Sequence, residues 1–457
     1  MRQDIDILVI GAGACGLAAA IAGHDRGASV AIIEKRLSPG GNSSLSTGSI
    51  PGAGSRYQRA AGIEDSPARL IEDLLRIASA TDCPELVRRL AEQSAPTVEW
   101  LVDSVGARLS LVTAYKHVGH RVARLHAPPS RRGQDLVDDL LAAVARRGIP
   151  LALGNAAERL ITQDGAVLGA SLRTASGENS TIAAAKTILA VNGYAANPAL
   201  VQRFCPEIAG AAYFGALGST GEAVLWGEML GAALSNIGAY QGYAAVSDPH
   251  GSLLSWTTIE KGGIIVNSAG KRFGDESVGY SGFTPNVLAE TAPRYAIFDQ
   301  KMYDVAALEE EFVELAGHGG FKAAATAMEL AKVLGIDASA LAASIGEARL
   351  AAQGERADSF GRRDFGLGGL GERLYACRIV PGLFHTQGGL AVDLDGRVLD
   401  GKGQPIRNLF AGGGAAGGLS GRSGAAGYAS GNGLLSALAL GRLAGLAAAA
   451  EVGGAKP

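Results

Sequence analysis

Residues 5–34 of the chain read IDILVIGAGACGLAAAIAGHDRGASVAIIE, and the order of apolar, glycine and alanine residues in this stretch decides the fold. Ile5–Ile10 form a short, β-branched run of the kind found in strands that are buried in a parallel sheet. A glycine-rich turn and an alanine-rich segment follow, and a second apolar run, Val30–Glu34, ends in an acid. The pattern predicts a strand–turn–helix–strand unit at the start of a parallel α/β sheet.

The turn places Gly11, Gly13 and Gly16 at the spacing of a dinucleotide-binding motif. Glycines at these positions let a pyrophosphate approach the backbone at the start of the helix. Glu34 ends the second strand, where a carboxylate can accept hydrogen bonds from both ribose hydroxyls. The context favours dinucleotide binding over a purely structural glycine turn, but the motif fits NAD and FAD equally well.

The residues after Glu34 distinguish these two cofactors. Residues 39–48 read PGGNSSLSTG, and such small and hydroxyl side chains suit a pyrophosphate and a ribityl chain, which the nicotinamide half of NAD does not require. The stretch therefore favours FAD. Residues 37–60 contain no histidine to which a flavin could be tethered, so we predict that FAD is bound non-covalently.

The composition argues against several other functions. The 457 residues carry a formal net charge of −3, which gives no basic surface for nucleic acid or an anionic membrane. Cys15, Cys83, Cys205 and Cys377 show no metal, haem-attachment or iron–sulfur spacing, so we expect no metal, a reduced cytoplasmic setting and an external electron acceptor such as a quinone, dioxygen or a carrier protein. Arg442 interrupts the last apolar run, and no run approaches the ~18 to 20 residues that span a bilayer, so no transmembrane segment is predicted.

A second glycine-rich stretch lies near the other end of the chain. Residues 382–444 contain a His-Thr-Gln-Gly-Gly turn, a short apolar strand, and a loop with Tyr428 before an apolar helix from about Leu434. The free N–H groups at the start of such a helix suit a redox ring that becomes anionic when it is reduced. An earlier apolar strand that closes on Asn192 and Gly193 would return the chain to the dinucleotide. Together these segments predict FAD contacts from Gly11, Gly13, Ala14, Cys15, Gly16, Glu34, Lys35, Gly41, Asn42, Ser43, Ser44, Thr47, Gly48, Asn192, Gly193, Gly413, Gly433, Leu434 and Leu435.

The middle of the chain predicts a loop and an inserted domain. A basic, irregular stretch at 107–132 carries Tyr115 and three histidines, but no acid or cysteine completes a metal-ligand set, so we favour a loop near the substrate. Residues 150–189 have the composition of an antiparallel β-meander, and 306–350 are mainly helical. Changes of composition predict three segments, which are 1–238, an insert at 239–376, and 377–457.

The whole chain resembles the flavoprotein family of fumarate reductases and 3-ketosteroid Δ1-dehydrogenases. The resemblance rests on the FAD motif with Glu34, the Gly-Gly-Asn-Ser stretch, the segment GGIIVNSAGKRF at 262–273, and the final His-Thr-x-Gly-Gly and Asn-Gly segments. It implies an α/β fold, with a Rossmann-like FAD-binding domain of the glutathione reductase type in two segments and an inserted α+β capping domain. In this family the substrate lies between the cap and the flavin.

Two positions within the resemblance separate its branches. Reductases have a proton-delivering arginine four residues after the glutamate that matches Glu276, whereas this chain has Tyr280, as ketosteroid dehydrogenases do. Near the end, a reductase arginine that holds a substrate carboxylate is replaced by Tyr428 in Tyr-Ala-Ser-Gly-Asn432. The resemblance implies that the Tyr428 hydroxyl and the Asn432 N–H polarise a ketone oxygen, that Tyr280 removes the α-proton, and that the β-carbon gives a hydride to flavin N5. Since a phenol ordinarily titrates at about pH 10, Tyr280 requires a relay, for which Tyr115 is the candidate.

Other residues depart from the dehydrogenase pattern. His385 matches a substrate-binding histidine of the reductase branch, and Arg422 either binds a substrate carboxylate or points to solvent. Gly414 replaces the acid with which many relatives contact the ribityl chain. We therefore expect a ketone α,β-dehydrogenase for a monocyclic ketone of the cyclohexanone type, such as 4-oxocyclohexanecarboxylate, or for a 3-ketosteroid. The alternatives are a fumarate reductase-like enzyme, with Arg272, Lys261 or another group as proton donor, and a flavin-binding regulatory or electron-transfer protein.

Overall fold

The structure is a computed structural model, in which residues 4–113 and 117–453 are described. The predicted relay residue Tyr115 lies outside the described residues. The chain divides into two compact units. Unit 1 comprises Met1–Pro206, Gly215–Tyr240 and His385–Pro457, and unit 2 comprises Glu207–Phe214 and Gln241–Phe384.

The strands of the described residues range from two to 13 residues, and most belong to one of two large sheets. In chain order they are β1 (Ile5–Ile10), β2 (Val30–Glu34), β3 (Ile50–Pro51), β4 (Ser110–Leu111), β5 (Leu125–Ala127), β6 (Leu151–Leu153), β7 (Ala156–Gln163), β8 (Ala166–Arg173), β9 (Asn179–Leu189), β10 (Ala212–Tyr213), β11 (Leu234–Ser235), β12 (Gly238–Ser247), β13 (Ile264–Val266), β14 (Arg294–Asp299), β15 (Lys322–Ala324), β16 (Leu374–Thr386), β17 (Gly389–Leu390), β18 (Arg397–Leu399), β19 (Pro405–Ala411) and β20 (Ser423–Gly424).

The helices of the described residues range from single turns to one helix of 22 residues. They are α1 (Ala14–His24), α2 (Asn42–Leu45), α3 (Arg56–Ala60), α4 (Pro67–Ala78), α5 (Pro84–Glu92), α6 (Ser94–Trp100), α7 (Gly133–Arg146), α8 (Pro198–Phe204), α9 (Glu222–Met229), α10 (Thr257–Glu260), α11 (Gly279–Gly282), α12 (Thr284–Ala289), α13 (Gln300–Ala306), α14 (Glu310–Gly317), α15 (Ala327–Leu334), α16 (Ala338–Ala352) and α17 (Asn432–Gly453).

The large sheet of unit 1 is built around β1. Its order is β18-β19-β8-β9-β1-β2-β6, and β1 pairs in parallel with both β2 and β9. Ile7 and Val9 belong to a core cluster with α1, α7 and α17, whereas Leu8 and Ile10 belong to another cluster with α4 and α5. Because both faces of β1 are covered, nearly every residue of the strand is apolar, and the predicted strand–turn–helix–strand unit is confirmed.

The predicted β-meander is confirmed for three of its strands. β7 pairs antiparallel with β8, and β8 pairs antiparallel with β9. The prediction was wrong for β6, which pairs in parallel with β2 instead. Three residues are too few for alternation to indicate which strand they would join.

The last helix begins two residues before the predicted start, at Asn432. By length and composition α17 could cross a membrane, so the expectation that Arg442 interrupts the apolar run was wrong. Its most apolar stretch is 72% buried, as in the core helix of a globular unit, which passes the same test. The Arg442 guanidinium lies over the ring of Trp100, 5.4 Å from its centroid, and this contact accommodates the charge within the helix.

Unit 2 combines a mixed sheet with helices. Its sheet has the order β13-β14-β16-β12, and β10 and β15 pair with β16. The buried residues of this sheet form one core cluster with residues of α13 to α16. The architecture of the two units confirms the predicted fold class, while the assignment of residues 239–376 as a capping domain stays a prediction.

Candidate active site

The glycine turn between β1 and α1 contains two kinds of glycine. At Gly11, where φ is +109°, a Cβ would overlap the Ala190 carbonyl oxygen, and at Gly16 it would overlap the Gly11 carbonyl oxygen. These two glycines are therefore required by the packing of the chain itself. At Gly13 the nearest atom to a Cβ would be the Gly40 oxygen, at 3.6 Å, so protein packing leaves this position open. The open position lies at the start of α1, where a pyrophosphate would approach.

The polar groups around this turn fit an adenine dinucleotide. The Glu34 carboxylate accepts hydrogen bonds from the N–H groups of Ala12 and Arg36, at 2.9 Å each, and each oxygen keeps a further lone pair for a ribose hydroxyl. The Ala14 N–H donates to Ser43 Oγ at 3.3 Å. Among the described residues, no partner is found for the buried Nδ2 of Asn42. Since a buried donor without a partner is costly, Asn42 indicates a ligand at this place.

Segment 40–48 is held in place beside the turn by its own hydroxyl groups. Ser44 Oγ donates to the Gly41 carbonyl oxygen at 2.8 Å, and Thr47 Oγ1 donates to Ser49 Oγ at 2.9 Å. Gly41 and Gly48 have φ values of +54° and +68°, which favour glycine. These hydrogen bonds and glycine conformations fix the shape of the segment, while its contacts with FAD stay a prediction.

Lys35 has a different set of contacts from the predicted one. Its Nζ forms an ion pair with Glu222 and donates to Thr220 Oγ1 at 2.8 Å. The charge of Lys35 is therefore engaged within the protein, and only the rest of the residue is available to the cofactor.

Two other segments of unit 1, at 192–193 and 413–414, approach each other closely. A Cβ at Gly414 would lie 2.5 Å from Asn192 Oδ1 and 2.8 Å from the Gly193 nitrogen. A side chain at this position would overlap Asn192 and Gly193, so the packing of the chain requires a glycine at position 414. At Gly413, where φ is +59°, a Cβ would lie 3.2 Å from that of Cys15. Burial raises the pKa of the Cys15 thiol to about 12, so Cys15 is a neutral packing residue.

The start of α17 supplies backbone donors. The Asn432 N–H, which was predicted to polarise the ketone, donates to the Ala429 carbonyl oxygen at 3.1 Å, and the Leu435 N–H donates to the Gly431 carbonyl oxygen at 2.9 Å. The N–H groups of Gly433 and Leu434 lie in the first turn, where a helix offers no carbonyl to receive them. Among the described residues, the N–H groups that this helix start leaves for a ligand are therefore those of Gly433 and Leu434, while the role of the Asn432 N–H in polarising a ketone stays a prediction.

His385 lies directly against this helix start. A Cβ at Gly433 would be 3.2 Å from His385 Cε1. His385 Nδ1 is 3.3 Å from the Thr386 carbonyl oxygen, which places the ring hydrogen on Nδ1 and leaves Nε2 as an acceptor. Burial lowers the pKa of His385, so the ring is neutral. This arrangement favours acceptance of a hydrogen bond from a ligand over donation to a ketone.

Arg422 is paired with an acid elsewhere in unit 1, and within the described ranges its side chain forms no hydrogen bond with the residues at the start of α17. Its Nε donates to Asp82 Oδ1 at 2.6 Å, and its side chain is 63% exposed. The contact supports the solvent-facing alternative for Arg422, and we do not include this residue in the substrate site.

Tyr428 is 9% exposed and lies in the loop before α17, which only one of the three histidines of the basic stretch 107–132 is seen to contact. His120 Nε2 is 2.8 Å from the Ser430 carbonyl oxygen, whereas His126 Nε2 is 2.9 Å from Ser55 Oγ. His117 lies next to Arg131, 3.3 Å from its Nη2. Across residues 4–113 and 117–453 no group of three metal-ligating side chains is found.

Two features of unit 1 were missed by sequence reasoning. Arg124 is fully buried and binds Asp65 through two hydrogen bonds of 2.9 and 3.0 Å and Asp73 through one of 2.9 Å. Gln387 is 5% exposed, and in the described part of the chain its Nε2 has no partner. Arg124 gave no signal because its partners are more than fifty residues away. Gln387 could have been singled out from the sequence, because it lies within the His-Thr-Gln-Gly-Gly turn.

In unit 2, Tyr280 belongs to an aromatic cluster. Its ring centroid lies 4.9 Å from that of Tyr243 and 6.3 Å from that of Trp256, and Tyr243 stacks on Phe384 at 5.4 Å. The Tyr243 hydroxyl donates to the Leu254 carbonyl oxygen at 2.8 Å, so this phenol is engaged, and burial raises its pKa well above the usual value. Tyr280 is half-buried at the side of this cluster.

Arg272 lies in a buried ion-pair cluster of the same unit. It donates two hydrogen bonds to Glu276, at 3.0 and 2.6 Å, and a further one to Asp358. Arg362 donates to the same Glu276 at 3.3 Å. Although burial opposes it, these carboxylates raise the pKa of Arg272. Such an arginine stabilises its surroundings and is unsuited to deliver protons to a substrate.

Comparisons with known proteins identify the family of the chain. The family described as "FAD binding domain" matches residues 6–433. An NADH:fumarate oxidoreductase of Klebsiella pneumoniae (strain 342) is 30% identical over 99% of the chain, which spans only 48% of that relative. A probable fumarate reductase of Shewanella frigidimarina (strain NCIMB 400) is 30% identical over 97% of the chain and 74% of its own length.

Solved structures give the same picture of the fold. The open conformation of a flavocytochrome c3 fumarate reductase has a TM-score of 0.82 at 30% identity, and covers 98% of this chain and 78% of its own. A 3-ketosteroid-Δ4-(5α)-dehydrogenase from Rhodococcus jostii RHA1, in complex with 4-androstene-3,17-dione, has a TM-score of 0.78 at 24% identity and covers 98% of both chains. At that identity the likeness to the steroid enzyme concerns the fold alone.

Proposed function

The chain belongs to the FAD binding domain family of flavin-dependent oxidoreductases, and from this premise we propose that it is a ketone α,β-dehydrogenase. The proposed substrate is a cyclic ketone, preferably a cyclohexanone and alternatively a 3-ketosteroid, and the product is the α,β-unsaturated ketone. The observation that carries the proposal is a tyrosine at position 280 in an aromatic cluster, together with an Arg272 that is fully engaged by Glu276 and Asp358.

The chain's own residues would divide the proton chemistry among them. The Tyr428 hydroxyl donates a hydrogen bond to the ketone oxygen, assisted by the first-turn N–H groups of α17, and this makes the neighbouring C–H acidic. Tyr280 accepts the α-proton, with Tyr115 as the proposed relay to solvent. FAD, when bound, supplies the acceptor for the hydride from the β-carbon. Asn42, Ser43 and Glu34 would hold the pyrophosphate and ribose ends of this cofactor.

The surroundings of the proposed residues suit a neutral ring. Tyr280 has aromatic neighbours, His385 is neutral, and Arg422 is paired with Asp82. A dicarboxylate such as fumarate is normally bound by guanidinium groups that match its geometry. A ketone requires only one or two donors at a single oxygen, which Tyr428 and the start of α17 would offer.

A second candidate is the reduction of the C=C bond of an unsaturated acid. It is favoured by the names of the 30%-identical relatives, which are fumarate reductases. This activity requires a proton donor other than Arg272 and a carboxylate-binding group other than Arg422. We propose that in either direction the electrons are exchanged with an external partner, a quinone, dioxygen or a carrier protein.

An anaerobic experiment tests the two candidates against each other. The FAD-loaded protein is mixed with cyclohexanone, 4-oxocyclohexanecarboxylate and a 3-ketosteroid, and the visible flavin absorbance is recorded. We expect bleaching by one ketone, with recovery of the matching enone. If no ketone bleaches the flavin, and fumarate, urocanate or acrylate reoxidises the chemically reduced protein, the reductase candidate replaces our proposal.

A further inference from the structure

The loop that carries Tyr428 is attached to an earlier segment of unit 1 by two hydrogen bonds of opposite direction. The Ser430 N–H donates to the Val118 carbonyl oxygen at 3.0 Å, and His120 Nε2 lies 2.8 Å from the Ser430 carbonyl oxygen. Both backbone groups of Ser430 are thereby fixed. Ser430 lies two residues after Tyr428 and two residues before the start of α17.

A tight packing contact accompanies these hydrogen bonds. At Gly119, where φ is +86°, a Cβ would lie 2.6 Å from the Cβ of Ala429. The segment 118–120 and the residue next to Tyr428 are thus in direct contact. Gly431, where φ is +82°, then turns the chain into α17. Any displacement of Ser430 would move the Tyr428 hydroxyl and the first helical turn together.

The neighbours of His120 favour the neutral tautomer with its hydrogen on Nε2, which the hydrogen bond to Ser430 requires. Arg124 Nη1 lies 3.4 Å from His120 Nδ1, and because a guanidinium can only donate, Nδ1 must accept. The ring hydrogen is then on Nε2 and points to the Ser430 carbonyl oxygen. Burial, and secondly Arg124, lower the pKa of His120 to about 4, which keeps the ring neutral. Arg124 itself is fixed by Asp65 and Asp73.

We propose that His120 is a positioning residue, which holds Ser430 so that the Tyr428 hydroxyl and the first-turn N–H groups of α17 point to the same ligand oxygen. Asp65 and Asp73 support His120 indirectly, because they hold Arg124 in the position from which it sets the tautomer of His120. The inference rests on the proposed function of Tyr428, and it adds a residue that acts on the site through Ser430.

Two variants of similar polarity test the inference in the FAD-loaded protein. In His120→Gln the amide nitrogen occupies the ε position and can still donate to Ser430, whereas in His120→Asn it occupies the δ position and cannot reach. We expect His120→Asn to lower kcat by about tenfold or more with little change in KM, and His120→Gln to retain most of the activity. Hydrogen–deuterium exchange of the peptide that spans residues 426–435 should rise in His120→Asn and stay near the wild-type rate in His120→Gln. His126→Gln, which alters a buried histidine bound to Ser55, serves as the control and should leave this peptide unchanged.

The outcomes separate this inference from the proposed function. If His120→Asn and His120→Gln match the wild type in both exchange and kcat, His120 has no positioning role, whatever the substrate. If the wild type oxidises no ketone but the exchange pattern appears as expected, the proposed function falls while the support of the loop by His120 stands. A wild type that oxidises a ketone, with the expected kcat difference between the two variants, supports both.

Discussion

At the scale of single residues, the proposed chemistry depends on two phenols, those of Tyr428 and Tyr280. We expect Tyr428→Phe and Tyr280→Phe each to retain FAD and to lose most of the turnover, by roughly 10² to 10³-fold for the loss of the Tyr428 donor. Flavin content from the visible spectrum and kcat with the responsive ketone are the two measurements. Tyr303→Phe, which removes a phenol that packs on Phe312 and Tyr375 in the same unit as Tyr280, is the matched control. Full activity in either test variant would remove that residue from the mechanism.

Buried histidines should make the stability of the protein depend on pH. Burial lowers the pKa of His126 from 6.5 to about 4, although Glu99 acts in the opposite direction. Below pH 6.5 His126 binds a proton in the unfolded chain but stays neutral in the native protein. The contribution of the neutral His126 to stability is therefore complete above pH 6.5 and is lost as the pH falls towards 4. We therefore expect the free energy of unfolding to fall by about 2 kcal/mol between pH 7 and pH 5 because of His126.

Urea unfolding at the two pH values measures this loss. His126→Gln should show a smaller difference between pH 7 and pH 5 than the wild type, whereas the exposed His318→Gln should not alter the difference. An identical pH dependence in His126→Gln and the wild type would contradict the assignment.

The contacts of a single residue could be predicted when its partners are close in sequence, and were missed when the partners are far away along the chain. Glu34 and the glycines act through neighbours in the same motif, and their placement was predictable. Lys35 pairs with Glu222, 187 residues away, and Arg422 pairs with Asp82, 340 residues away. The sequence places a charge at each position but does not reveal which opposite charge the fold brings to it. For the same reason the buried pairs of Arg124 with Asp65 and Asp73, and that of Arg272 with Asp358, were missed.

At the scale of elements, the close crossing of α1 and α17 determines how the two ends of unit 1 meet. A Cβ at Gly445 would overlap the Ala19 carbonyl oxygen, and one at Gly441 would overlap that of Cys15. We expect Gly445→Ala to destabilise the protein by about 1 to 3 kcal/mol, because backbone atoms cannot move aside as a flexible side chain would. Chemical denaturation provides the measurement.

The matched control is another glycine in a helix interior. Gly346 lies within α16, and a Cβ there would meet no atom within 4 Å. Gly346→Ala should therefore be neutral or stabilising, by up to about 1 kcal/mol, since alanine is the better helix former. Equal effects of the two substitutions would show that helix propensity, and not the crossing, decides the outcome.

Elements with a strong pattern were the predictable ones. β1 and β2 are continuous apolar runs and α7 is amphipathic, while α4 begins with a capping sequence, Ser66 followed by a proline, in which Ser66 Oγ accepts from the Arg69 N–H at 3.3 Å. β6 is too short for its pairing to be predicted. For α17 the sequence showed an apolar helix, but only the structure shows that Arg442 rests on Trp100 and that the helix continues to Gly453.

At the scale of the whole molecule, the fold class was predictable because one local motif and an end-to-end resemblance agreed. The substrate was less predictable, because the two tyrosines that would define it belong to different compact units, and each is positioned by contacts that are remote in sequence. Tyr280 is positioned by Tyr243 and Trp256, and the Tyr428 loop by His120. Sequence identified these residues by position within a family pattern, whereas their orientation is a property of each folded unit.

The stability of the whole protein should respond differently to FAD when either of two neighbouring glycines is changed. A ligand that binds only the native state stabilises it, by about 2.7 kcal/mol at a hundredfold excess over its Kd. At Gly16 a Cβ would overlap the Gly11 carbonyl oxygen, so Gly16→Ala should lower Tm even without FAD. At Gly13, where φ is −79° and the nearest atom to a Cβ would be 3.6 Å away, Gly13→Ala should leave the Tm of the FAD-free protein unchanged.

The decisive quantity is the rise in Tm when FAD is added. The wild type should show a clear rise, and Gly13→Ala a much smaller one, because its new methyl group occupies the space left for the pyrophosphate at the start of α1. FAD retention after gel filtration gives a second, independent reading. A full rise in Gly13→Ala would mean that the open position beside Gly40 is not where the pyrophosphate binds, and the assignment of Asn42 and Ser43 as its neighbours would fall with it.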